Sequence, residues 1–209
     1  MPRSIAGRRD QAGFSLLEVM LVVAIGLIVT AVGVPRMNNA IANMRLRSSM
    51  TTVSGLLQNA RMIAVKKNKT MTAKNFNRST LPYSLVYYVK DATDSGAIGT
   101  SDIQVEMEAP ITPCNTPGTS PCDVPSGIAA PPVILNSKLG VLTTPQTGNP
   151  SFNSRGLPCD YSIVPCANRA FIKYFKDNRI GGSGGWAAIS VTPAGRIKRW
   201  FWNGSSWAD

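Results

Sequence analysis

The chain has 209 residues, a formal net charge of +11 and no histidine. Without an imidazole there is no Ser-His-Asp or Cys-His nucleophile, the few acids form no convincing acid–base pair, and no phosphate-cradling glycine motif is present, so neither enzymatic activity nor a cofactor is expected. The basic balance favours an anionic partner or a membrane surface and says nothing about fold.

A short polar leader, residues 1–13, carries Arg3, Arg8 and Arg9 against Asp10. Its removal leaves a net charge of +9. An apolar run then extends from Phe14 to Val34 with one carboxylate inside it, Glu18. Roughly 20 apolar residues suffice to cross a hydrocarbon core as a helix, and the leader arginines favour a cytoplasmic leader. An acid inside such a segment is costly and calls for a partner. An ordinary signal peptide would place its apolar region before the cut, with small residues around it; here the run follows Gly13.

Pro35 is expected to kink the helix rather than end it, because helical periodicity resumes beyond it. Ile41, Met44, Val53, Leu56, Leu57, Ala60, Ile63 and Ala64 recur at three- and four-residue spacings, which predicts one core-facing stripe. Gly55 weakens the middle, while Lys66, Lys67 and Lys69 suit a helix C-terminus. The segments are therefore a membrane helix over 14–36, an amphipathic helix over 37–68 and a β-rich globular domain over 69–209. The expected fold is α+β, one long N-terminal helix packed on an antiparallel sheet.

Strands are expected at Thr70–Ala73, Ser84–Val89, Ile103–Met107 and Ala170–Phe175, with shorter ones at Val133–Leu135 and Val141–Thr143. The proline-rich stretch Pro110–Pro132 reads as a long surface loop. Gly181–Gly185 reads as flexible. Trp186–Thr192 and Arg196–Trp202 form a hairpin around Pro193-Ala194-Gly195.

Four cysteines, Cys114, Cys122, Cys159 and Cys166, suggest disulfides in an exported domain. Three pairings are possible; the short spacings favour Cys114–Cys122 and Cys159–Cys166. A zinc site is disfavoured, because neither spacing is that of common structural sites, and no metal is expected.

Two-residue periodicity in the last strand puts Arg196, Lys198, Trp200 and Trp202 on one face, and Ile197, Arg199 and Phe201 on the other. Cations beside indoles can hold phosphates while stacking on bases. Arg196, Lys198, Arg199 and Trp200 are thus the candidate nucleic-acid residues. The structural alternative is an edge strand guarded by charges, with the tryptophans covering the sheet or contacting neighbouring subunits.

Gly13, Phe14, Glu18 and Pro35 together resemble the N-terminus of a type IV prepilin. That resemblance implies cleavage after Gly13 by a prepilin peptidase, methylation of the new Phe14 amine, and packing of the helix into a filament core where Glu18 meets the amine of a neighbouring subunit. The partners implied are other pilins or pseudopilins, the peptidase and an inner-membrane assembly platform. The subunit would wait in the inner membrane with its globular domain in the periplasm.

A finer resemblance links Leu57, Ala60-Arg61, Ala64 and Lys67-Asn68, the Phe152–Pro158 stretch and the Ile189–Ile197 hairpin to GspH/FimT-like minor pilins and pseudopilins. Residues 91–132 have no counterpart in that pattern and read as an insertion. FimT-like members of transformable bacteria bind DNA through Gly-Arg-x-Arg; here Gly195-Arg196-Ile197-Lys198 departs at its last position. DNA is accordingly the alternative partner, met by a point charge in place of a bidentate fork.

Overall fold

The structure, a computed structural model, describes residues 15–77, 83–99, 102–108, 111–114, 131, 148–163, 165–180 and 184–209. One helix, α1 (Leu16–Lys67), runs through two compact units, residues 1–40 and 41–209, which are taken separately below.

In the first unit Ser15 caps the helix. The Glu18 amide donates to the Ser15 hydroxyl at 3.2 Å and to the Ser15 carbonyl at 3.0 Å. This satisfies one of the donors that every helix start leaves orphaned. The apolar side chains of Leu16–Val34 are exposed, and the segment is long and apolar enough to cross a membrane. Pro35 has no N–H to offer the Ala31 carbonyl, yet α1 continues beyond it.

In the second unit α1 buries Ala42, Leu46, Met50, Val53, Leu56, Leu57, Ala60 and Ala64. The stripe differs from the expected one at its start. Ile41 is 37% exposed and Met44 70%, whereas Leu46 and Met50 are buried. The four-residue steps Ala42-Leu46-Met50 join the downstream stripe, and Ile41 and Met44 lie off that row. The helix ends where Asn68 adopts φ 52°. Its amide donates to the Val65 carbonyl, and that of Lys69 to the Ala64 carbonyl, the paired bonds of a left-handed helix cap.

The strands are β1 (Met71–Asn77), β2 (Tyr83–Asp91), β3 (Gln104–Glu108), β4 (Ile111–Cys114), β5 (Ser151–Phe152), β6 (Pro158–Asp160), β7 (Ala167–Asn168), β8 (Phe171–Asp177), β9 (Trp186–Val191), β10 (Ile197–Trp202) and β11 (Trp207–Ala208). They form two sheets, ordered β3-β2-β1-β5-β6-β7 and β11-β10-β9-β8-β4. All pairings are antiparallel. The helix stripe, Leu85, Tyr87 and Met107 of the first sheet, and Phe171, Phe175, Ile189 and Val191 of the second share one core.

The proline-rich segment is not loop throughout. Ile111–Cys114 pairs with β8, and Ile111 is fully buried in the core. Pro113 is tolerated because β4 ends its sheet, where a missing donor breaks no interior ladder. Residues 91–132 therefore supply β3 and β4, one to each sheet. Cys122, Val133–Leu135 and Val141–Thr143 lie outside the described residues, as do residues 181–183 of the glycine run and the side chain of Cys114.

The Cys159–Cys166 disulfide is formed. Between its cysteines the Asp160 carboxylate accepts from the Ser162 amide (3.1 Å) and hydroxyl (2.6 Å), and Arg169 Nε lies 3.5 Å from Asp160 Oδ2.

Candidate functional site

The Phe152–Pro158 stretch and the Pro193–Gly195 turn both close on α1. Asn153 Oδ1 accepts from the amides of Arg155 and Leu157, both at 3.0 Å, and folds the stretch into a tight turn with Gly156 at φ 73°. In the β9–β10 turn the Gly195 amide donates to the Thr192 carbonyl at 2.7 Å, and Gly195 has φ 80°. Both glycines face Arg61. A Cβ on Gly156 would lie 3.1 Å from Arg61 Cγ, and one on Gly195 3.1 Å from Arg61 Cζ. Arg61 Nη1 donates to the Gly195 carbonyl at 3.2 Å.

Beyond that turn β10 alternates as expected. Ile197 and Phe201 pack on the main core, and Trp200 packs on Ile172, Tyr174, Trp186 and Ala188 on the other face, with Trp202 and Trp207 beside it. The sequence reading offers Trp200 as a base-stacking surface; the structure buries it at 6% exposure. Its Nε1 donates to Ser190 Oγ at 2.8 Å, and Lys198 Nζ lies 4.9 Å from its ring centroid. Trp202 and Trp207 meet edge to face at 5.5 Å.

The cations remain at the surface. Arg47, Thr51, Arg196, Lys198, Arg199 and Asp209 line a pocket of about 420 Å³. Arg199 Nη1 donates to Thr51 Oγ1 at 2.6 Å, and the Arg47 guanidinium stacks 4.4 Å from the Phe201 ring centroid. The Lys198 ammonium donates to Asp209 Oδ2 at 2.6 Å. That hydrogen bond, with the charge of Lys198 behind it, holds the Asp209 carboxyl below the usual carboxylate range.

A larger pocket of about 570 Å³ at the C-terminal end of α1 is lined by Lys66, Lys67, Lys69, Lys90, Asp91, Asp94 and Asp102, among others. Its charges are largely matched. Lys90 lies 3.2 Å from Asp94 and 4.0 Å from Asp102, and Lys69 lies 3.3 Å from Asp91. Among the described residues no three His, Cys, Asp or Glu side chains converge on a metal position.

At the other end of the chain Glu18 is exposed in the first turn of α1, and among the described residues it has no ion-pair partner. Gly13 and Phe14 lie outside the described residues. The Prokaryotic N-terminal methylation motif, a signature of type IV pilins, matches residues 8–34 and so covers Gly13, Phe14 and Glu18. Over those residues the chain is similar to the N-terminus of type IV pilins. Among solved structures the chain is similar to a crystal structure of the type IV minor pilin FimU of Pseudomonas aeruginosa (strain PAO1), at 14% identity and a TM-score of 0.44, over 80% of this chain and 95% of that one. No curated protein matches it.

Sequence reasoning missed three residues of these sites. Ser15 was legible, since a serine three residues before a glutamate at the head of an apolar run is a capping pattern. Arg47 and Asp209 were not, because only the fold brings them, from far apart in the chain, to the strand that carries Arg196 and Lys198.

Proposed function

We propose that this chain is a type IV pilin, a minor subunit of a type IV pilus or of a type II secretion pseudopilus, of the GspH/FimT-like kind. A prepilin peptidase cleaves after Gly13, the Phe14 amine is methylated, and the apolar half of α1 anchors the subunit in the inner membrane with its globular domain in the periplasm. An assembly platform then moves it into a filament of related pilins. The observation that carries this reading is the methylation motif joined to an exposed apolar helix whose first turn presents one exposed carboxylate. In an apolar filament core that carboxylate needs a cation, and the N-terminal amine of a neighbouring subunit supplies one. The closure of both glycine turns on Arg61 supports the subgroup, since all three GspH/FimT-like landmarks meet there.

The test is quantitative mass spectrometry of filaments sheared from cells making wild-type protein or Glu18→Ala. Wild-type peptides such as that containing Phe152–Arg155 are expected in the filaments at low abundance. The variant is expected in the membrane and absent from filaments. Incorporation of Glu18→Ala at wild-type level would overturn the docking role. Retention of the wild type in the membrane while pili are present would favour the secretion pseudopilus.

A second reading, a filament-borne DNA receptor, is favoured by the pocket in which Arg196, Lys198 and Arg199 meet Arg47 of the helix. With Trp200 buried, this site would grip backbone phosphates without stacking on bases, so binding would be insensitive to sequence and steeply salt-dependent.

A further inference from the structure

The basic pocket on β10 is one half of a longer depression. A second pocket of about 420 Å³ is lined by Asn43, Arg47, Gly184, Phe201, Trp202, Asn203 and Asp209, among others. Arg47, Phe201 and Asp209 line both. Asp209 thus stands at their common wall, and its carboxylate already takes up the Lys198 ammonium. Four cations, Arg47, Arg196, Lys198 and Arg199, line the first pocket together with that acid.

We infer that Asp209 is an internal competitor for the DNA backbone. Its carboxylate occupies the phosphate position on Lys198, and a polyanion enters by displacing it, which joins the two pockets into one groove with Arg47 as a phosphate ligand outside the hairpin. This rests on the DNA-receptor reading. The physics is an exchange of one anion for another on the same ammonium. An exposed pair of this kind is weak, so a phosphate can replace it. Until one does, it masks one cation and one unit of salt dependence. The Arg47 guanidinium carbon lies over the Phe201 ring, 4.4 Å from its centroid, and this contact leaves its charge in place for a backbone phosphate at low ordering cost.

The experiment is fluorescence anisotropy of a labelled DNA duplex with the full-length protein in neutral detergent micelles, across a salt series. Asp209→Asn is expected to bind about two- to fivefold tighter than wild type, the range an exposed ion pair allows. Its salt slope should be steeper by about one phosphate contact. Asp94→Asn removes the same charge at the far pocket and should leave both quantities unchanged. Arg47→Gln should weaken binding and reduce the slope by about one. If wild type binds and loses affinity on Arg196→Ala with Lys198→Ala, yet Asp209→Asn is no tighter than Asp94→Asn, the competitor role is overturned while the receptor reading stands. If no variant binds duplex at low salt, the receptor reading falls and the competitor role with it.

Discussion

Arg61 Nη1 donates to the carbonyl oxygen of Gly195 at 3.2 Å and so ties α1 to a turn 134 residues further along the chain. The same side chain closes off Gly156. One guanidinium stem thereby sets the position of two turns, one leading into each sheet: Gly156 precedes β6 and Gly195 precedes β10. The left-handed backbone at both glycines gives each turn room to approach the helix.

Alanine at either glycine should therefore be destabilising on two counts. Its backbone would be strained at positive φ, which costs about 1–3 kcal/mol, and its methyl would press on Arg61 or, at Gly156, also on Val65 Cγ2 at 3.0 Å. Urea unfolding should show lower midpoints for Gly156→Ala and Gly195→Ala. In an Arg61→Ala background the cost of Gly195→Ala should shrink, since only the strain remains. Full additivity of the two changes would show that Arg61 does not set the turn.

Tyr87 is buried on β2 at 1% exposure, with its ring 6.0 Å from that of Phe175. Among the described residues its hydroxyl has no hydrogen-bond partner, and burial pushes its pKa far above the ordinary phenol value. An unsatisfied buried donor costs about 1–3 kcal/mol. Tyr87→Phe should thus be neutral to stabilising, by up to about 1 kcal/mol in urea unfolding. A clear loss of stability would mean the hydroxyl is satisfied in solution.

Lys173 on β8 is 5% exposed, and burial lowers its pKa from 10.5 to about 8. The unfolded chain then holds this proton up to about pH 10.5, whereas the folded chain releases it near pH 8. Between those values the unfolded state binds more protons, so this group's contribution to stability rises with pH. It is complete above the unfolded value and lost as pH falls through the folded one. Comparing Lys173→Met with wild type by urea unfolding from pH 7 to 10.5 isolates the effect, because other groups titrate equally in both. The stability difference in favour of the variant should be largest at pH 7 and shrink toward pH 10.5. A pH-independent difference would rule out the shift.

The N-terminal half was legible because its signals are local. An apolar run with one acid inside it is read from adjacent residues, and the helix needs no tertiary partner to declare itself. The C-terminal hairpin was legible for the same reason, from Pro193-Ala194-Gly195 between two alternating strands. What escaped was long-range. The strand at Ile111–Cys114 hides behind Pro113, which argues against a strand until one knows that β4 is an edge. The helix stripe was misread at Ile41 and Met44 because apolar side chains there match the spacing without facing the sheets. Trp200 looked like a free stacking surface because alternation reveals that a residue leaves the main core but not that Ile172, Tyr174 and Trp186 wait on the other side.

Each sheet has one end closed by a strand of only two residues, β7 in the first and β11 in the second. At the first of these the Cys159–Cys166 bond staples the neighbouring β6 to the chain leading into β7. A stub so short offers an incoming chain almost no ladder to copy. Polymerisation by strand addition, the route by which β proteins form runaway fibrils, finds little purchase at those two ends. Under the assembly proposed above, growth would be left to the helix, where it would depend on a membrane, a peptidase and a neighbour, all of which the cell can supply or withhold.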